Sequence, residues 1–213
     1  MNVAIIGATG FVGSSVRNEA ASRGHRVTAL VQNPAKLAAQ AGVRAAKVDV
    51  LDGAALTALI NGHDAVISAF SGHAHADITA YYLEGFRSIV EAVKRSDVPR
   101  LLVVGGAASL EVAPGVQLLD TPGFPAQWKA SAEGARTALG LLRQEPRLDW
   151  TVLSPSAYLE PGQRTGKFRL GGDQLLVDAA TTRSHISIED YAVAMIDELE
   201  RPAHARQRFT VGY

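Results

Sequence analysis

Three glycines, at positions 7, 10 and 13, form the stretch of the chain whose residue types and spacing most directly prescribe a chemistry. They stand in Gly7-Ala8-Thr9-Gly10-Phe11-Val12-Gly13, the pattern G-x-x-G-x-x-G. Gly7 can take a backbone conformation closed to other residues. Gly10 has no Cβ, so a phosphate can come up to the main chain. Gly13 lets a helix lie close on a sheet. A helix starting here presents free N–H groups and a positive dipole end to an anion. Such a motif carries meaning only between a strand and a helix. Val3-Ala4-Ile5-Ile6 precedes it as a short, wholly apolar run, and Val12, Val16, Ala20 and Ala21 follow at helical spacing. The context is that of a dinucleotide-binding turn.

Other chemistries find little support. The chain has no cysteine, which excludes disulfides, thiolate catalysis and cysteine–zinc sites. No Gly-x-Ser-x-Gly elbow supports a hydrolase. His73-x-His75-x-Asp77 has metal-ligand residue types but no evident further ligand, so no metal site is expected. Lys plus Arg and Asp plus Glu both number 21, so the net charge is zero. That balance argues against nucleic acid or an anionic membrane as partner. No apolar run is long enough to span a bilayer, and Val3 to Ile6 is too short for a signal peptide, so a cytoplasmic protein acting on a small molecule is expected. It would be a monomer or a homodimer.

The elements that must position the glycine turn alternate along the chain. Strands are expected at 27–31, 43–48, 65–69, 101–104 and 150–153. Helices are expected from Pro34, near 53–60, over 78–95 and over 127–142, with an irregular stretch at 107–125. This alternation dictates an α/β fold, a Rossmann-like doubly wound parallel sheet with right-handed crossovers. After Pro155 the pattern changes. Lys167 to Leu170 and Gln174 to Val177 flank Gly171-Gly172-Asp173 as a hairpin, Ser187-x-x-Asp190 opens a helix over 189–199, and Phe209-Thr210-Val211 is a last strand. The 213 residues read as one domain, in which 155–213 forms a small C-terminal lid segment on the substrate side.

With these residues in place, the chain resembles the atypical short-chain dehydrogenase/reductases with an NAD(P)H-binding fold. The nearest groups are the NmrA-like proteins, the biliverdin reductase B/flavin reductases and bacterial NADH-flavin reductases. The resemblance implies a role for each strand end. Gly7, Thr9, Gly10, Phe11 and Val12 would meet the pyrophosphate. Gln32 and Asn33 stand where an acid would select NAD and an arginine would select NADP. Neither is present, and Arg17 and Lys36 could neutralise a phosphate, which leaves NADP(H) slightly favoured over NAD(H). Asp49 could accept from the adenine amino group and Val50 cover the ring; Ala69 and Phe70 would lie beside the ribose, and Pro155 against the nicotinamide. Each also reads as an ordinary turn or strand-end residue.

The family's usual catalytic signature is missing. Short-chain dehydrogenases use Tyr-x-x-x-Lys, and none of the five tyrosines here has a lysine four residues on. Lys129 stands where that lysine would and could still hold a ribose, or be a solvated lysine. Ser109 stands near the position of the family's catalytic serine, or is a loop serine. Hydride transfer to a planar conjugated acceptor such as a flavin or quinone needs no dedicated acid, and that oxidoreductase is the leading expectation. A non-catalytic NmrA-like dinucleotide sensor is the alternative, and a sugar-nucleotide epimerase or dehydratase a weaker one.

Overall fold

The computed structural model describes residues 1–73 and 75–213. The chain runs β1 (Asn2–Ile6), α1 (Phe11–Ser22), β2 (Arg26–Val31), β3 (Val43–Lys47), α2 (Gly53–Ile60), β4 (Ala65–Ser68), α3 (Ile78–Arg95) and β5 (Arg100–Val104). A small hairpin of β6 (Glu111–Ala113) and β7 (Val116–Gln117) precedes α4 (Lys129–Arg143) and β8 (Asp149–Pro155). The last third holds β9 (Tyr158–Glu160), β10 (Arg169–Gly171), β11 (His185–Ser187), α5 (Ile188–Glu200) and β12 (Gln207–Gly212).

The main sheet has the order β10-β12-β8-β5-β4-β1-β2-β3, parallel throughout except for edge strand β10. Its central strands are apolar on both faces because helices cover both. One face packs Ile5, Val27, Ile67 and Leu153 against α1 and α5. The other packs Ile6, Val66, Leu101 and Val152 against α2, α3 and α4. Strand order reverses between β1 and β4, so the loops leaving these two strands diverge to opposite sides and open a crevice.

The caps are written locally. The Asp77 side chain accepts from the Ala80 N–H at 2.9 Å and starts α3, whose last turn carries Lys94 and Arg95 against the negative dipole end. Ser187 caps α5 through the Asp190 N–H, but the Asp190 carboxylate does not reach back as in a full capping box. It is fully buried and holds the 165–166 turn through the N–H groups of Thr165 and Gly166, both at 2.8 Å.

Two expectations are corrected. The helix expected from Pro34 is a single 3-10 turn, Pro34–Lys36. Of its residues and the one after it, only Leu37 packs against the core, too little apolar surface to sustain an amphipathic helix. The hairpin expected around Gly171-Gly172-Asp173 does not form. Arg169–Gly171 pairs with β12, while Gln174 makes an isolated bridge to Glu111. The free edge of β12 offers a complete ladder, and the Leu176 side chain packs in the space left by Gly171 and Gly212. Beyond Pro155, β12 therefore extends the sheet and α5 covers it, and the part that overlies the C-terminal strand ends is Ala157–Glu160.

Candidate functional site

The turn after β1 is built as tightly as its glycines imply. Gly7 has φ +76°, and a Cβ there would stand 2.5 Å from the Ala69 carbonyl oxygen. A Cβ on Gly13 would overlap the Gly7 carbonyl. Both glycines let α1 and the β4 loop close on the turn. Gly10 differs: its φ is −74°, it is exposed, and a Cβ would point into space bounded only by the Gly7 oxygen at 3.3 Å. It is the N-cap of α1, and no side chain caps that helix. The first N–H groups of α1 thus remain available beside an exposed, side-chain-free surface. Thr9 is exposed next to it.

A cavity of ≈ 960 Å³ begins at this helix end. Its walls are the segments that leave the C-terminal ends of β1, β4, β5 and β8, together with the start of α4. Gly10, Phe11 and Val12 form one side, Ala69 to Gly72 the next, and Gly105 to Ala108 the floor. Gly105 is crowded by Val152, Ser154 and the Leu153 carbonyl, so no side chain fits beneath it. The stretch expected to be irregular folds as β6–β7 and short turns. Ala108, Leu119 and Phe124 pack with Ala132 and set that stretch against α4. Phe11, Trp128 and Tyr158, each more than half exposed, stand around the mouth.

Deeper in the wall, Phe70 stacks on Tyr82 with centroids 6.0 Å apart and planes 9° apart, and Tyr82 stacks in turn on Phe86. Burial in this aromatic column pushes the Tyr82 phenol up to about 12. Thr79 donates to the Ala130 carbonyl at 2.7 Å, joining the starts of α3 and α4 across the rim.

Of the residues expected at the site, Gly10, Phe11, Val12, Ala69 and Phe70 line the cavity. Gln32, Asn33, Lys36 and Asp49 lie on exposed turns at the ends of β2 and β3. The Gln32 side chain donates to the Tyr81 hydroxyl at 3.3 Å, and Asn33 accepts from the Ala35 N–H to cap its own turn. Asp49 accepts from the Leu51 N–H at 3.0 Å. Arg17 reaches the Ala8 carbonyl, Gln40 and Asn18.

Four expectations meet a different placement. Val50 is buried in the core beneath α3, so its side chain has almost no surface to lay over a ring. Pro155 is buried in register with Val211 and does not line the cavity. Lys129 is exposed at the first residue of α4, behind Trp128 rather than in the wall. Ser109 is buried and its hydroxyl accepts from Arg208 at 3.3 Å; with that bond it supports a buried guanidinium and turns away from the cavity. The His73–Asp77 loop includes Ala74, which lies outside the described residues; His73 lines the cavity and meets the Trp128 ring edge-on at 6.4 Å.

Sequence reasoning missed Tyr82, Phe124, Trp128, Tyr158 and Glu160 as cavity residues. Tyr82 had a signal, because it is the polar-tipped member of the apolar face of α3. Tyr158 and Glu160 had none, because β9 is brought over the crevice only by pairing with β11.

Comparison with known proteins agrees with this geometry. The YwnB protein of Bacillus subtilis (strain 168) is 41% identical over 218 residues, covering 99% of this chain and 98% of that protein. A Bacteroides thetaiotaomicron protein, named as a proposed epimerase, has a solved structure that is 42% identical with a TM-score of 0.92, covering 100% of this chain and 96% of that one. A Streptococcus pneumoniae TIGR4 protein, named as a proposed NADH-flavin reductase, is 33% identical with a TM-score of 0.89, covering 100% and 99%. The family model described as NAD(P)H-binding matches residues 7–202, and the chain belongs to that NAD(P)H-binding family, with a Rossmann-like fold.

Proposed function

We propose that the protein is an NAD(P)H-dependent oxidoreductase that passes a hydride to a planar, conjugated acceptor such as a flavin or a quinone. The observation that carries this reading is the aromatic cavity opening directly from the uncapped start of α1, with no lysine among the described residues of its wall. The start of α1 supports a dinucleotide reading. A side-chain-free Gly10 and the free N–H groups of Phe11 and Val12 suit a pyrophosphate. The exposed Gln32, Asn33, Lys36 and Asp49 lie at the ends of the neighbouring strands, where the adenosine half would extend. In this reading Lys129, exposed at the start of α4 and outside the cavity wall, would hold a ribose hydroxyl at the rim.

The bound nicotinamide would supply the hydride from its C4 carbon. The chain's residues hold and orient. In this reading Phe70 and Tyr82 would line the acceptor's side of the cavity, and Phe11, Trp128 and Tyr158 would shield it from water. Tyr82 stays protonated through the neutral range and is a weak acid there. A reduced flavin or quinone delocalises its new charge and can take its proton from solvent, whereas an alkoxide from a simple ketone cannot wait for one. For each acceptor reduced, one NAD(P)H is oxidised and one proton is taken up. With Gln32 and Lys36 and no acid at the end of β2, NADPH is slightly preferred. The concave apolar cavity supports the enzyme over a non-catalytic sensor, for which it has no evident use.

The test is NADPH and NADH oxidation with 1,4-naphthoquinone, riboflavin and simple aliphatic ketones. Turnover is expected with the first two and almost none with ketones. Tight dinucleotide binding without turnover of any acceptor would move the assignment to the sensor.

A further inference from the structure

The charge on the cavity wall bears on the acceptor, an inference that rests on the cavity being the acceptor site. Among the described residues lining it there is no lysine and no arginine. The one carboxylate is Glu160, and the remaining polar side chains are the hydroxyls of Ser71, Tyr82, Thr121, Ser131 and Tyr158, the Trp128 indole N–H and His73. Arg183, the cation that meets Glu160, does not line the cavity. It pairs with Glu160 at 3.1 Å and lies over the Tyr158 ring at 5.2 Å. It therefore neutralises the carboxylate from outside instead of presenting a charge inward. The free N–H groups of α1 would be taken by the dinucleotide's own phosphates.

An anionic ring entering this cavity would leave its water shell and find aromatic rings, alanines and glycines. Taking an ion out of water is strongly unfavourable unless a partner charge or several hydrogen bonds replace the solvent. Aromatic faces are themselves negative and repel an anion laid on them. An uncharged planar ring meets none of these costs and gains contact with the aromatic side chains of the wall.

We infer that the cavity selects acceptors whose ring system carries no negative charge, such as unsubstituted quinones and the bare isoalloxazine ring, and rejects ring-borne carboxylates and sulfonates. The specificity determinant is the lack of a cation among the described residues of the wall. A phosphate on a flexible tail that stays outside the mouth is compatible with this; a charge on the ring is not.

The experiment compares 1,4-naphthoquinone with 1,4-naphthoquinone-2-sulfonate as acceptors, and titrates 2-naphthol and 2-naphthalenesulfonate calorimetrically into the protein with NADPH added, whose nicotinamide ring is uncharged. The sulfonate withdraws electrons and makes its quinone the easier one to reduce in solution, so selection by the cavity must run against intrinsic reactivity. We expect kcat/KM for the sulfonated quinone to be at least about tenfold lower, and 2-naphthol to bind at least about tenfold tighter than its sulfonate, given the cost of an unpaired buried anion. If 2-naphthol binds selectively while neither quinone is reduced, the hydride-transfer reading falls and the inference about the cavity stands. Equal or tighter binding of the sulfonate, equal or faster turnover of its quinone, or no binding of either naphthalene overturns it.

Discussion

Gly85 on α3 faces the ring of Phe70, and a Cβ there would stand 2.5 Å from Phe70 Cε1. The aromatic wall of the cavity is thus held in place by an absent side chain on a helix behind it. Gly85→Ala should push the ring into the cavity. Overpacking costs about 1–3 kcal/mol, offset by roughly 0.8–1 kcal/mol of better helix propensity. We expect a small net destabilisation in denaturant melts and at least a severalfold loss of 2-naphthol affinity. Gly140→Ala, in α4 with nothing within 4 Å of its Cβ, should instead stabilise the protein by roughly 0.5–1 kcal/mol.

Gly10 and Gly7 should separate binding from folding. Gly10→Val places a branched side chain on the surface proposed for the pyrophosphate, in a backbone conformation valine accepts. Circular dichroism should show the native fold, and calorimetry should show dinucleotide affinity lowered by at least about a hundredfold, the scale of a steric block at a phosphate contact. Gly7→Ala, at φ +76° and against the Ala69 carbonyl, should destabilise the fold itself by more than 1 kcal/mol or so. Unchanged affinity in the Gly10 variant would remove the site from this turn.

Cofactor choice should respond to Gln32→Arg. The Gln32 side chain now rests on the Tyr81 hydroxyl, and an arginine in its place would present a fork suited to a 2′-phosphate. The ratio of dissociation constants should move toward NADPH by roughly 1 kcal/mol or more, a change of about fivefold or greater. No movement in titrations with both dinucleotides would place the 2′ position elsewhere.

Ser109→Ala tests whether that serine is structural. Its loss would remove one acceptor from the buried Arg208, at a cost of about 1–3 kcal/mol. Melting should report that loss, while kcat/KM for naphthoquinone stays within about threefold, because the hydroxyl does not face the cavity. A drop of a hundredfold with unchanged stability would restore Ser109 to the chemistry.

Alkaline pH should reveal the aromatic column. Burial raises the Tyr82 phenol to about 12, above the ordinary value of 10.0, so its neutral form is favoured in the folded state. Its contribution is fully present below pH 10 and is lost as pH rises toward 12, where the unfolded chain releases the proton more readily. Stability should fall in that window by up to about 2–3 kcal/mol from this group. Tyr82→Phe should make the fall shallower in chemical melts followed from pH 9 to 12, the buried phenol of Tyr191 and that of Tyr213, both also raised, contributing the rest.

What the residue order determined on its own is the turn and the layers. Val3 to Ile6, the three glycines and the apolar periodicity of α1 act within thirteen to twenty residues of one another, and α3 runs from Ile78 to Arg95 as its periodicity and caps prescribe. Local backbone preferences and binary patterning decide such features before any distant contact forms. The cavity depended on the tertiary structure. Phe11, Phe70, Phe124 and Tyr158 come from four separate segments that follow β1, β4, β5 and β8, and only the reversal of strand order between β1 and β4 opens the crevice they share. Ser109 and Val50 lie at expected places in the chain, yet which way each points was settled by Arg208 on β12 and by the core beneath α3. β10 paired with β12 rather than folding back as a hairpin for the same reason. A free strand edge far along the chain competed with the nearby turn, and nothing in a local pattern can weigh that competition.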